Sequence, residues 1–139
     1  ELIQVPVNVL DQRLIKGGEL KKLKDKGIEV HARSIFLQGL LLMDSNNIHS
    51  YFDPIKPVIN KYRSFIISRG LTPVEGAINF VASVPEIDYI IVGVNTVEQL
   101  KASLDGFKST LKDGIPLENF SMFSLEDSRY INPSLWKLN

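Results

Sequence analysis

Three short apolar stretches, separated by segments of helical character, confine this chain to the α/β class. Leu2–Leu10 is rich in Val, Leu and Ile, and Ile28–Ile35 and Tyr89–Val92 repeat that composition. Short runs of this kind read as strands of a buried parallel sheet. Between them the helix signals are explicit. Gly17-Gly18 opens a short helix with Leu20 and Leu23 inward, and Gly27 follows its end. Asp53 and Pro54 suit the cap and first position of a longer helix, in which Ile55, Val58, Ile59, Tyr62 and Ile66 recur at helical spacing before Gly70. Thr72, Pro73 and Glu75 form a capping-box sequence over Ala77, Ile78, Phe80 and Val81. After Tyr89–Val92, expected to be buried on both sides, Gly93 turns the chain. Thr96 and Gln99 form a second such box over a helix with Leu100, Leu104 and Phe107 inward. Phe36 to Ser50 reads as a long loop with Gly39, Asp44, Asn46 and Asn47 at its turns.

Strands alternating with helices imply a parallel sheet of right-handed βαβ units. About three strands cannot close a barrel, and a complete eight-fold barrel takes about 250 residues. The expectation for these 139 residues is a partial, half TIM barrel. Residues 1–112 would form it, with open sheet edges, and an irregular tail, 113–139, would wrap the surface. Glu1-Leu2-Ile3-Gln4 reads as a chain entered in mid-strand, without the basic start of a signal peptide.

Composition removes several function classes. Sixteen basic residues balance sixteen acidic ones, which gives no electrostatic case for nucleic acid or an anionic membrane. Lys21, Lys22, Lys24 and Lys26 are broken by Leu23 and Asp25 and read as a solvated helix face. The chain has no cysteine, hence no disulfide, thiolate metal site or cysteine nucleophile, and a bacterial-type cytoplasm suits it. The longest apolar runs, Ile35–Leu37 and Leu40–Met43, fall far short of the ~20 residues of a membrane span. His49 has no partner at metal-ligand spacing, so no metal site is expected.

In α/β architectures the chemistry sits beyond the C-terminal ends of the strands. Here that means Asn8 to Arg13, Arg33 to Gly39, and Gly93 to Gln99. Val92-Gly93-Val94-Asn95-Thr96 is a strand, a turn and a capped helix start. It is either an ordinary tight turn or a place where backbone N–H groups and a helix dipole meet an anion. His31, in a strand, reads as a hydrogen-bonded interior residue. No nucleophile elbow, phosphate-binding GxxxxGK run or dinucleotide GxGxxG is present.

Four stretches in order carry a more specific signal: Ile3 to Asn8 (IQVPVN), Gly27 to Leu41 (GIEVHARSIFLQGLL), Leu71 to Ser83 (LTPVEGAINFVAS) and Tyr89 to Leu104 (YIIVGVNTVEQLKASL). Together they resemble the C-terminal half of the aldo-keto reductases, from the sixth strand region to the eighth. ARSIFLQGLLLM and the ending INPSLWK (Ile131 to Lys137) are similar to a bacterial branch associated with surface-polysaccharide synthesis. The resemblance implies a TIM barrel that takes NADP or NAD without a Rossmann domain. It gives Gln4 to the nicotinamide carboxamide and Ser34 to the pyrophosphate, with Phe36, Gln38 and Gly39 in the loop folding over it. It gives Gly93, Val94, Asn95 and Thr96 to the 2′-phosphate turn, and Gln99 and Ser103 to the phosphate and adenine. Arg33 stands where many members place a tyrosine stacked on the nicotinamide; its planar guanidinium can stack but adds a charge. Asn95, Gln99 and Ser103 replace a basic residue, an arginine and an asparagine, so charge-assisted contacts are lost and NADP against NAD stays open.

The family's catalytic Asp, Tyr, Lys and His lie in the first four or five strand regions, and no residue here is assigned a catalytic role. Tyr62, Tyr89 and Tyr51 fall on a helix, in a strand and on a loop without a matching motif. Two main readings follow. One is a piece of an NAD(P)H-dependent reductase of a small-molecule carbonyl substrate, inactive by itself. The other is a non-catalytic half-barrel that binds nucleotide or pairs through its open edges as a homodimer. An unrelated barrel enzyme with a similar phosphate site is a minor third.

Overall fold

In a computed structural model that describes residues 1–139, the three apolar stretches form one parallel sheet. Strands β1 (Leu2–Pro6), β2 (Glu29–Arg33) and β3 (Tyr89–Ile90) lie in that order. Leu2 to Pro6 register with Glu29 to Arg33, and His31 and Ala32 with Tyr89 and Ile90. Every strand is shorter than its apolar run. Asn8 ends β1, because its side-chain carbonyl accepts the N–H of Leu10 and of Asp11 and curls the backbone into a turn.

Helices α1 (Arg13–Lys16) and α2 (Glu19–Asp25) connect β1 to β2. Leu20 is fully buried and Leu23 half-buried, and Gly18 and Gly27 take the left-handed backbone their turns require. The four-residue helix α1 has no stripe long enough to read from spacing. Between β2 and β3 stand α3 (Lys56–Ile67) and α4 (Pro73–Ala82). The helix expected to begin at Asp53–Pro54 does not. His49 caps a 3-10 stretch over Ser50–Ile55, its ring nitrogen accepting the N–H of Tyr51, and Pro54 lies inside that stretch. The α-helix starts at Lys56 with Pro57 in its first turn, and Asp53 pairs with Lys56 instead of capping. The Thr72–Glu75 box of α4 is formed in both directions.

Helix α5 (Val97–Asp113) follows β3, and a short α6 (Ser128–Ile131) lies in the tail. The second capping box is half made: Thr96 accepts the N–H of Gln99, but Gln99 accepts from Asn95 rather than from Thr96. The tail also inserts into the core. Phe120 and Phe123 are fully buried, edge-on to Tyr62, Phe65 and Phe80 at ring separations of 5.2 to 5.6 Å. Gln12 donates to Phe120 and Val9, tying the tail to the end of β1.

The core lies on one face of the sheet only. Val5, Val30 and Ala32 point into it and are buried. Their neighbours Gln4, Arg33 and Tyr89 point the other way and are exposed, with His31 half-covered between them. Two expectations fail here. The third strand is not buried on both sides, since Tyr89 is 58% exposed. Leu100, Leu104 and Phe107 are also roughly half exposed rather than inward. Strand and helix are apolar as a buried parallel sheet demands, and nothing else in the chain covers them. No helix is long and apolar enough to cross a membrane.

Candidate functional site

The segment leaving β2 has the most unusual backbone of the molecule. Ser34, Leu37 and Gln38 have φ of +58°, +47° and +54°, and Gly39 follows at +84°. Left-handed backbone disfavours L residues by about 1–2 kcal/mol each, so buried anchors are needed to hold it. They are present: Ile35, Leu37, Leu40 and Leu41 are each at most 1% exposed. The Asn8 side chain donates to the Ser34 carbonyl, and the N–H groups of Leu37 and Gly39 donate to Ser34 and Phe36. The result is a rigid loop whose alternate side chains face outward.

Opposite stands the turn from β3 into α5. Thr96 caps the helix, and the side chain of Gln99 reaches back 2.7 Å to the N–H of Asn95. The N–H groups of Gly93, Val94 and Thr96 donate to nothing within the chain. Helix geometry adds the unpaired N–H groups of the first turn of α5, at the positive end of its dipole. Ser103 is buried, its hydroxyl donating to the Gln99 carbonyl.

Between loop and turn runs a groove of about 650 Å³. Of the twelve cofactor-binding residues expected from sequence it gathers nine: Ser34, Phe36, Gln38, Gly39, Gly93, Val94, Asn95, Gln99 and Ser103. Thr96 stands just behind as the cap. Gln4 and Arg33 lie elsewhere. Gln4 is in mid-β1 beside His31, on the uncovered face of the sheet, and Arg33, on that same face, lines a neighbouring polar cavity. Sequence reasoning missed the apolar part of the wall, Leu42, Val74 and Ala102 among it. Val74 sits one residue past the Pro73 that marks the start of α4, which was the available signal.

The ordered motifs, the parallel sheet and the groove at its strand ends meet a direct match: the profile of the Aldo/keto reductase family covers residues 2–114. The chain belongs to that family. No curated protein matched it.

Aldo/keto reductases generally use a reduced nicotinamide nucleotide, and the groove fits one in kind. It offers two hydroxyls, three side-chain amides, free backbone N–H groups for a diphosphate and the Phe36 ring for a flat face. Every donor in that wall is neutral. None of the four tyrosines lines the groove or the neighbouring polar cavity. Tyr51 donates its hydroxyl to the carbonyl of Arg129, Tyr62 is buried in the aromatic cluster with its proton held more tightly than usual by burial, Tyr89 faces out beside His31, and Tyr130 packs against Tyr51. His31, a hydrogen-bonded strand residue, bonds Glu29 at 2.5 Å, and its ring lies tilted against Tyr89 at 4.9 Å. No group of three His, Asp or Glu side chains is placed to hold a metal ion.

Proposed function

We propose that this chain is the nucleotide-holding, C-terminal half of an NAD(P)H-dependent aldo/keto reductase barrel. The observation that carries the reading is the groove itself, where nine expected residues from two separate strand ends meet. The bound nucleotide supplies a hydride for reduction of a small carbonyl compound. Ser34, Gly93 and Val94 offer hydroxyl and backbone donors to its phosphates, Phe36 and Gln38 close one side, and Gln99 and Ser103 hold the other. The chain itself supplies no proton donor at the site, so reduction needs the remaining strands of a barrel, whose Asp, Tyr, Lys and His would stand over the uncovered sheet face. That face and the free edges of β1 and β3 support the reading, because a parallel sheet is stable when covered on both sides. The wording of Ala32–Met43 and Ile131–Lys137 favours the bacterial branch associated with surface-polysaccharide synthesis, and a cytoplasmic setting accords with it.

The test is calorimetric titration of the purified protein with NADH and NADPH, beside Ala102→Phe. Ala102 is exposed and lines the groove, so the larger ring fills the groove without disturbing the core. Saturable binding weakened at least about tenfold by the substitution is expected. Failure of both nucleotides to bind, or equal binding to the variant, would contradict the reading. A second reading, a self-associating half-barrel without catalysis, draws on the exposed apolar strip of Leu100, Leu104 and Phe107. Light scattering distinguishes it, by a dimer that Leu104→Glu dissociates.

A further inference from the structure

Against the groove lies a second cavity of about 470 Å³, at the ends of β1 and β2. The two share Ser34 and Gln38 as a common wall. This cavity is polar, and the tail closes it: Asn132 and Ser134 face the arginines that follow β1 and end β2.

Its charges are unequally matched. Asp11, 4% exposed, takes both forks of Arg13, at 2.9 Å from Nε and 3.0 Å from Nη2. Arg13 is thus paired with Asp11, and Glu126, outside the lining, adds a weaker attraction. Arg33 has no such partner. Its one polar contact is the Ser34 hydroxyl at 3.2 Å, and no carboxylate lies within ion-pair distance. Ser34 is fixed in left-handed backbone and Arg33 ends a paired strand, so the backbone sets the unpaired guanidinium beside a cavity lined by hydroxyls, amides and the paired Asp11 and Arg13.

We propose that this cavity takes a carbonyl compound bearing a carboxylate, with Arg33 pairing to the anion. A guanidinium matches a carboxylate through two parallel N–H bonds, which a neutral ester cannot reproduce. The proposal rests on the neighbouring groove as the nucleotide site, since the shared wall is what sets this ligand beside the nucleotide. Arg33 then selects the substrate rather than stacking on the nicotinamide.

The experiment is calorimetric titration of the purified protein with 2-oxoglutarate and with its dimethyl ester, for the native chain, Arg33→Gln and Arg33→Lys, with NADH titrated in parallel. The diacid is expected to bind roughly tenfold or more tightly than the ester, as loss of a charge-assisted bond implies. Arg33→Gln should abolish the difference, and Arg33→Lys should keep part of it. Unchanged melting temperature establishes that both variants fold. Equal binding of diacid and ester, binding of neither, or an unaltered preference in Arg33→Gln would overturn the proposal. NADH binding with no preference for the diacid sinks this cavity alone. A diacid preference without NADH binding removes the nucleotide reading, and with it the substrate role, while leaving a carboxylate site at Arg33.

Discussion

Leu37 joins the strained loop to the core, and substitution there separates two forces that usually act together. Its side chain is fully buried while its φ is +47°. Leu37→Ala removes three carbons of buried side chain, about 2.4 kcal/mol at ~0.8 kcal/mol for each methylene. An incompletely collapsed cavity raises that to about 3 kcal/mol. At an ordinary backbone position glycine would be worse than alanine by about 0.5–1 kcal/mol, through its freer unfolded state. In left-handed backbone alanine suffers a further penalty of about 1–2 kcal/mol that glycine escapes. Glycine also gives up the buried β-carbon, about 0.8 kcal/mol more. Leu37→Gly and Leu37→Ala should therefore be equal to within about 1 kcal/mol, where ordinary backbone would leave glycine worse by about 1.3–1.8 kcal/mol. Urea denaturation of both variants, with Leu20→Ala as a core control far from the groove, measures this directly. Leu37→Gly should also weaken nucleotide binding more than Leu20→Ala does, because the loop loses rigidity along with its anchor. A glycine variant less stable than the alanine variant by well over about 1 kcal/mol would refute the strained-loop account.

Thr72→Ala removes the acceptor of a complete capping box and should destabilise by about 1 kcal/mol in the same assay, while Thr72→Ser keeps most of the stability. Gly76→Ala should be destabilising despite alanine's helix preference of about 1 kcal/mol, because the added carbon would sit 2.7 Å from a methyl of Ile66 and 2.9 Å from the Tyr62 hydroxyl. Asp88 holds its carboxylate below the ordinary 3.8 by its bond to Lys24 and then by the N–H of Val30. Its folded value is the depressed one, so its contribution is fully present above the unfolded value of about 4 and fades as pH falls through the folded value. Acid unfolding of Asp88→Asn should accordingly depend less on pH below about 4 than that of the native chain.

What the sequence disclosed was mostly local. The Thr72–Glu75 box is legible because both halves lie within one turn and need no tertiary partner. The start of α3 is not, because Asp53–Pro54 and His49 with Pro57 carry equivalent signals, and only the 3-10 path of Ser50–Ile55 decides between them. The left-handed residues Ser34, Leu37 and Gln38 escape notice because none is glycine or asparagine; buried neighbours impose that backbone. Most of the groove was foreseeable from strand ends and family likeness. The polar cavity was only half foreseeable. Asn8 to Arg13 stood out as a strand end, while Asn132 and Ser134 arrive from a tail without periodicity. Leu100, Leu104 and Phe107 read as core residues because apolar spacing reports what a helix can bury, not whether the chain supplies something to bury it against.

The central claim is that the strand-end groove holds a nicotinamide nucleotide, and amide NMR of the labelled protein during NADH titration tests it most directly. The account predicts saturable shifts concentrated at Ser34–Gly39 and Gly93–Ser103, with the α1–α2 region unmoved. Shifts absent from those two segments, or spread evenly over the chain, would contradict it.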